Sequence, residues 1–304
     1  MTKFSISNPL LQIHIAVFLW GFTAILGKII SLPTTELVFL RMAIAMTGFL
    51  VLQKTRREVQ ALKRSQWLQL FSIGVIICVH WLCFYQSIKE YNSASLALIC
   101  LGTGPMFTLW LEVLTDRSKK FTWINLVISI VALLGIYLIA QGSKSNEFSI
   151  SEPGRFEWAI FYGLMATLLA SIFTILNGRA TKDMPPLAIS TIEMMAGAIC
   201  LFLFLAGTNG LEFLTNMSFS DTGYIVLLSI CCTCVPFLLS IYSLQKLEPF
   251  IVTLTVNLEP IYGLIFAGIF WQEYQNFNIY FYLGSFLILF SVFLPMINDR
   301  WKRV

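Results

Sequence analysis

Ala94-Ser-Leu-Ala-Leu-Ile-Cys-Leu-Gly-Thr-Gly-Pro105 and Phe250-Ile-Val-Thr-Leu-Thr-Val-Asn-Leu-Glu-Pro260 are apolar runs that each close on a proline, and the two prolines stand 155 positions apart. At nearly the same distance before them lie Tyr85-Gln-Ser-Ile-Lys89 and Tyr242-Ser-Leu-Gln-Lys246. Similarity at a fixed offset is the mark of an internal repeat. Inside a helix, a proline removes one backbone donor, so Pro105 deprives the Leu101 carbonyl of its partner and Pro260 that of Val256. Loosened backbone is tolerated in hydrocarbon only beside protein or a wet cavity. Paired breaks in corresponding helices therefore point to a midplane substrate site, whereas either proline alone would read as a packing kink.

Outward from these runs, the whole chain is written for lipid. Hydrophobic residues make up 57% and charged residues 12% of its 304 residues, against roughly half and a quarter in soluble domains. Apolar stretches near 10–30, 35–53, 67–88, 94–115, 122–140, 157–177, 186–206, 222–244, 249–271 and 278–297 each approach the roughly 20 residues that cross a bilayer as a helix. Backbone groups in hydrocarbon must pair locally, and runs of this length exclude barrel strands. The expected fold is an all-α membrane protein with ten transmembrane helices, leaving no room for a soluble domain of ~100 residues. The first run is too long for a signal-peptide core and is expected to remain as a helix.

Orientation follows the Lys and Arg bias. Fifteen of the twenty basic residues, among them Lys54, Arg56, Arg57, Lys63, Arg64, Lys120, Arg179, Lys182 and Lys246, fall on the side that holds both termini. The opposite loops hold Lys89, Lys144 and Arg155. Both termini are thus expected in the cytoplasm of a multi-pass protein of the cell membrane. The polar stretch from Gln141 to Arg155 divides the chain into residues 1–145 and 146–304. Each half has an odd number of spans, so the second must enter the membrane inverted.

Several classes are excluded. The basic residues sit in short loops rather than along one helix face, which argues against nucleic acid. All seven cysteines lie in apolar runs, where they act as small hydrophobes. Cys231-Cys232-Thr-Cys234 lacks metal-site spacing and a neighbouring His. No phosphate-binding glycine loop is present, and no cofactor is expected.

The remaining signal is polarity where none belongs. A charge near the bilayer centre costs at least ~2.5 kcal/mol on insertion scales, so it needs a partner or a task. Arg41 shares a helix face with Ala45 and Gly48, and Glu193 shares one with Ala196, Gly197 and Cys200. They occupy roughly matching places in the two halves, which permits an ion pair; a snorkelling Arg41 is the other reading. Glu259, with Asn257 and Thr255 beside it, fits three roles: binding a substrate ammonium, taking up a proton, or bonding a neighbouring helix. His80 has the range for proton coupling, although a satisfied core histidine is the commoner use. Trp81 and Tyr85, one turn apart, could stack on a planar or cationic ligand or simply pack. Trp20 and Asn177 complete the candidates.

Trp20-Gly-Phe-Thr-Ala-Ile-Leu-Gly-Lys28, Phe39-Leu-Arg41-Met, Asn257-Leu-Glu259-Pro260 and Trp271-Gln-Glu273, in this order over the full length, resemble the EamA branch of the drug/metabolite transporter superfamily. The resemblance implies small-molecule transport, often export of amino acids or other metabolites, through a cavity between two halves. Where the family closes its fourth helix with an acidic residue, matched in the second half by Glu273, this chain has Ser118 with Asp116 nearby.

The expected function is that of a secondary transporter for a small amphipathic metabolite, working by alternating access as an exporter. Its partners are then the substrate, the bilayer, and a proton or counter-substrate, with a homodimer left open. A membrane-embedded enzyme lacks a convergent nucleophile and base, having only His14 and His80. A passive channel lacks a filter motif.

Overall fold

The computed structural model describes residues 8–116, 118, 120–143, 154–208, 210–256 and 258–301. Every regular element among them is helical: α1 Pro9–Trp20, α2 Thr23–Ile29, α3 Thr34–Leu50, α4 Gln53–Gln60, α5 Arg64–Tyr91, α6 Ala94–Leu101, α7 Gly104–Thr115, α8 Trp123–Ser143, α9 Arg155–Ala180, α10 Pro186–Gly207, α11 Phe213–Asn216, α12 Phe219–Ser229, α13 Val235–Leu244, α14 Pro249–Val256, α15 Glu259–Trp271 and α16 Ile279–Trp301. A π-helical turn, Ile230–Cys234, joins α12 to α13, and a 3₁₀ turn, Glu273–Asn276, follows α15. Eight segments among the described residues are long and apolar enough to cross a membrane, and α3 with α4, bent by 96°, would make a ninth. Only a shorter apolar stretch, Ile279–Ser291, is found in α16.

Both predicted proline breaks occur. Span four divides into α6 and α7 around Gly102 and Thr103, and span nine divides into α14 and α15 just before Glu259. In each case the proline occupies the first turn of the second piece, where its missing donor is harmless. The first span, Pro9–Ile29, is interrupted as well: its helix stops at Trp20 and restarts at Thr23. Thr23 turns its hydroxyl back onto the Trp20 carbonyl at 2.7 Å, taking one of the acceptors that the break frees.

The packing is inside-out relative to a soluble bundle in its polarity only. Long apolar side chains such as Leu133, Phe204, Ile269 and Phe286 face outward, while Ala, Gly, Ser and Thr line the helix contacts. The α8 and α16 backbones meet at Gly135 and Gly284: a Cβ on Gly135 would stand 2.7 Å from the Gly284 carbonyl oxygen. Elsewhere α3 packs on α10, α5 on α9, α1 on α13, α6 on α15 and α7 on α14.

At one end of the bundle two left-handed residues stop helices. Asn92 ends α5 and Gln272 ends α15, each with φ 50°. The turns present Ser93 and Glu273 to each other.

Candidate functional site

A cavity lies where the broken helices meet; together with the open solvent that adjoins it, the space measures about 940 Å³. Its wall takes Trp20 and Thr23 from the break in span one, Leu101 and Gly104 from span four, and Val256 and Glu259 from span nine. From there it runs along α9 and α13 as far as Asn177 and Leu244. Those residues lie toward the end of the bundle opposite Lys28 and Glu273.

Hydroxyls reinforce the backbone beside the break in span four. The Cys100 carbonyl accepts from Thr103 Oγ1 at 2.7 Å and from Thr167 Oγ1 at 3.0 Å, and Ser171 donates to the Gly104 carbonyl at 3.3 Å. Span six thus staples the break in span four.

Arg41 is held from α3 with 2% exposure, and every edge of its guanidinium is used. Nε donates to Thr233 Oγ1 at 2.7 Å, Nη1 to the Tyr85 hydroxyl at 2.7 Å and Nη2 to the Cys232 carbonyl at 3.3 Å. The Trp81 ring lies 3.8 Å from Cζ, a close cation–π stack. These acceptors exist because α12 and α13 do not join as one α-helix. Pro236 has no N–H for the carbonyl four residues earlier, that of Cys232, and Arg41 takes its place. Thr233 Oγ1 in turn donates to Leu228, five residues back, across the π turn.

Glu259 opens α15 with 7% exposure, on the cavity wall beside Thr23 and within electrostatic reach of Arg41. His80 Nδ1 lies 2.7 Å from the Ala166 carbonyl, which places the ring proton on that nitrogen; the ring also borders the cavity. Trp20, Arg41, His80, Trp81, Asn177 and Glu259 are therefore gathered around one space, with Tyr85 directly behind Arg41. Asn257 lies outside the described residues. Among the described residues Glu193 makes no ion pair with Arg41; its Oε2 accepts from Asn177 Nδ2 at 3.3 Å. No group of three or more His, Cys, Asp or Glu suited to a metal is found among them either.

The end of the bundle that carries Lys28 and Glu273 is tied by charge. Lys28 Nζ lies 2.6 Å from Glu273 Oε1 and 5.0 Å from the Trp271 ring centroid. Glu273 also accepts from the Ala94 and Ser95 amides at 3.2 and 3.0 Å and from Ser93 Oγ at 3.2 Å, so a carboxylate from the second half caps α6 of the first. Burial works to raise this carboxyl, but the bonds from Lys28 and Ser95 outweigh it and hold it below its ordinary value. Beside it, Asp221 accepts from the Ser31 amide at 2.9 Å and the Ser31 hydroxyl at 2.5 Å, and Lys89 caps the Ile30 and Leu32 carbonyls.

Reading the sequence alone missed Thr23, Thr233 and Pro236, and it met Glu273 only as part of a motif. Pro236 was open to discovery by the argument used for Pro105. The role of Thr233 was not, since it depends on a π turn.

A polytopic helical protein with broken helices around an internal, part-charged cavity belongs to the class of membrane transporters. Comparison narrows this: the model of the EamA-like transporter family matches residues 8–141 and again residues 157–297, and the chain belongs to that family. An "Uncharacterized transporter" of Archaeoglobus fulgidus is 26% identical over 286 residues, covering 92% of this chain and 95% of its own. "Uncharacterized transporter YxxF" of Bacillus subtilis is 23% identical over 304 residues, with 97% and 92% covered. A solved structure titled only "Crystal structure of protein" superposes with a TM-score of 0.67 at 13% identity, covering 98% of this chain and 99% of that one, which supports the fold alone.

Proposed function

We propose that the protein is a secondary carrier of ten spans, built as two inverted five-helix repeats over residues 1–145 and 146–304, that exports a small amphipathic metabolite such as an amino acid from the cytoplasm by alternating access. The observation that carries this reading is the cavity at the meeting of the broken helices, with Glu259 on its wall and Arg41 within reach of it. Broken helices of opposed halves leave charges and unpaired backbone facing such a space. Symmetry supports the repeat. Spans two and seven, four and nine, and five and ten pack directly, while the contact of span three with six mirrors that of span eight with one. A twofold axis relating the halves generates this pattern. The broken spans agree too, with pieces of 8 and 12 residues in the first half and 8 and 13 in the second.

With cytoplasmic termini, the end holding Lys28 and Glu273 faces outward, and the cavity reaches toward the cytoplasm along α9 and α13. The arrangement is then the inward-open state, ready to load. Glu259 receives an ammonium or other donor of the solute, Trp20 and Trp81 offer ring faces, and Arg41 braces the wall through Trp81 and Tyr85. Closure beneath the solute and rupture of the Lys28–Glu273 tie complete the cycle. The test is metabolite profiling of cells lacking or overproducing the protein, then reconstitution of the leading candidates in liposomes. Saturable uptake accelerated by the same solute on the far side is expected. Linear flux would favour a channel, and solute consumption without translocation an enzyme.

A further inference from the structure

Glu193 and Asn177 form a pair that the transport reading leaves unused. Glu193 is 0% exposed on α10, and Asn177, 1% exposed on α9, stands between it and the cavity that it helps to line. The amide donates to Glu193 Oε2, yet Glu193 Oε1 and Asn177 Oδ1 are both buried without a hydrogen-bond partner. The pair thus presents three acceptor oxygens and one bonded donor. Exchanging the amide oxygen and nitrogen leaves that count unchanged.

Among the described residues nothing answers the missing donor. Gly74 of α5 is pressed against the Glu193 backbone so closely that a Cβ there would overlap it, which closes the space to a larger donor. The titratable groups on the surrounding helices include Arg41 on α3, Glu58 on α4, Cys78 and His80 on α5, Arg179 on α9 and Tyr242 on α13. None of them hydrogen-bonds or ion-pairs with Glu193 among the described residues. Arg41 is oriented toward Tyr85, Thr233 and Cys232, to which its three nitrogens donate, and His80 Nδ1 is committed to Ala166. An isolated carboxylate in such a place is among the costliest groups a membrane protein can hold.

We infer that Glu193 and Asn177 are a proton-binding site: one proton on the carboxyl makes it a donor to Asn177 Oδ1, closing an acid–amide ring with the bond already present. A metal ion is the poorer occupant, since two acceptors fall well short of the oxygen shell that hard cations take. Asn177 is the side of the ring that a solute in the cavity can touch. A cationic donor of the solute that displaces the amide pairs with the carboxylate and expels its proton to solvent in the cavity; once the solute leaves, a proton must return before the ring can close. Resting on the carrier reading above, this makes Glu193 the group that couples solute to proton movement, with Asn177 as the positioning residue.

Infrared spectra of the full chain in lipid vesicles near neutral pH test the site without any solute. A protonated-carboxyl C=O band is expected, lost in Glu193→Gln and kept in Glu259→Gln. Should Glu193→Gln fail to fold, Asn177→Leu answers the same question by moving the band to the higher frequency of an unbonded acid. A band unaltered in these variants, a Glu193 signal seen only as ionised carboxylate, or its loss when sodium replaces choline as the sole added cation would each overturn the inference. The transport reading fails separately: counterflow can be absent with the band intact, and the band absent with counterflow intact.

Discussion

Glu273→Gln should unlatch the end of the bundle that the proposed orientation turns outward. The substitution keeps the side chain's size but removes the charge that Lys28 meets at 2.6 Å, with the two side chains only 12% and 4% exposed. It also turns an amide N–H toward donors of α6, so at least one of the bonds from Ala94 and Ser95 is lost. Breaking a buried pair by neutralising one partner costs about 3 kcal/mol at the low end of the usual range, or roughly a hundredfold in the balance between closed and open outer ends. The assay uses a Cys-free background with Thr23→Cys on the cavity wall and a membrane-impermeant maleimide added from outside. Labelling should be faster by about two orders of magnitude in the Glu273→Gln variant. The acid limb has a defined sign: a carboxyl held below its ordinary value contributes stability that is complete above about pH 4.3 and fades as pH falls through the lowered value. Divided by the thiolate fraction of the probe cysteine, the outer labelling rate should therefore be flat across neutral pH and rise only in stronger acid. Equal labelling of the parent and Glu273→Gln would refute the latch.

Arg41→Lys should lower thermal stability by about 3 kcal/mol, because an ammonium cannot meet Thr233, Tyr85 and Cys232 together; Tyr85→Phe should cost about half as much. A melting temperature unchanged in both would mean that the guanidinium network carries no stability. Glu259→Gln should depress solute counterflow, or its pH dependence, while expression is preserved. Unaltered kinetics over a pH series would remove Glu259 from the mechanism. Gly135→Val should force α8 and α16 apart at the Gly284 carbonyl and cost about 1–3 kcal/mol in thermal unfolding; no loss would show that these helices do not depend on close approach.

Much of this architecture is written locally. Pro105 and Pro260 act on the carbonyls four residues before them whatever surrounds the helix, and so the breaks in spans four and nine were legible. The break in span one was not, because Gly21 is permissive and does not compel a helix to stop. The bend between α3 and α4 had its cue in Gln53-Lys-Thr-Arg-Arg57, a stretch too polar to stay in hydrocarbon. For the site, Trp20, Arg41, His80, Trp81, Asn177 and Glu259 were readable as polar or aromatic residues out of place in apolar runs. Their partners were not readable. Matching positions in the two halves suggested Arg41 with Glu193, yet each found a neighbour on another helix face: Arg41 the carbonyl left open by Pro236, and Glu193 the amide of Asn177.

By itself the sequence determined the solvent, the helical class and the places where helices must yield, since hydrophobicity and proline geometry are properties of a residue and its near neighbours. Tertiary structure alone decided which charge meets which donor. Those pairings join residues as far apart as Lys28 and Glu273, and they depend on helix rotation and close approach, to which spacing along the chain is blind.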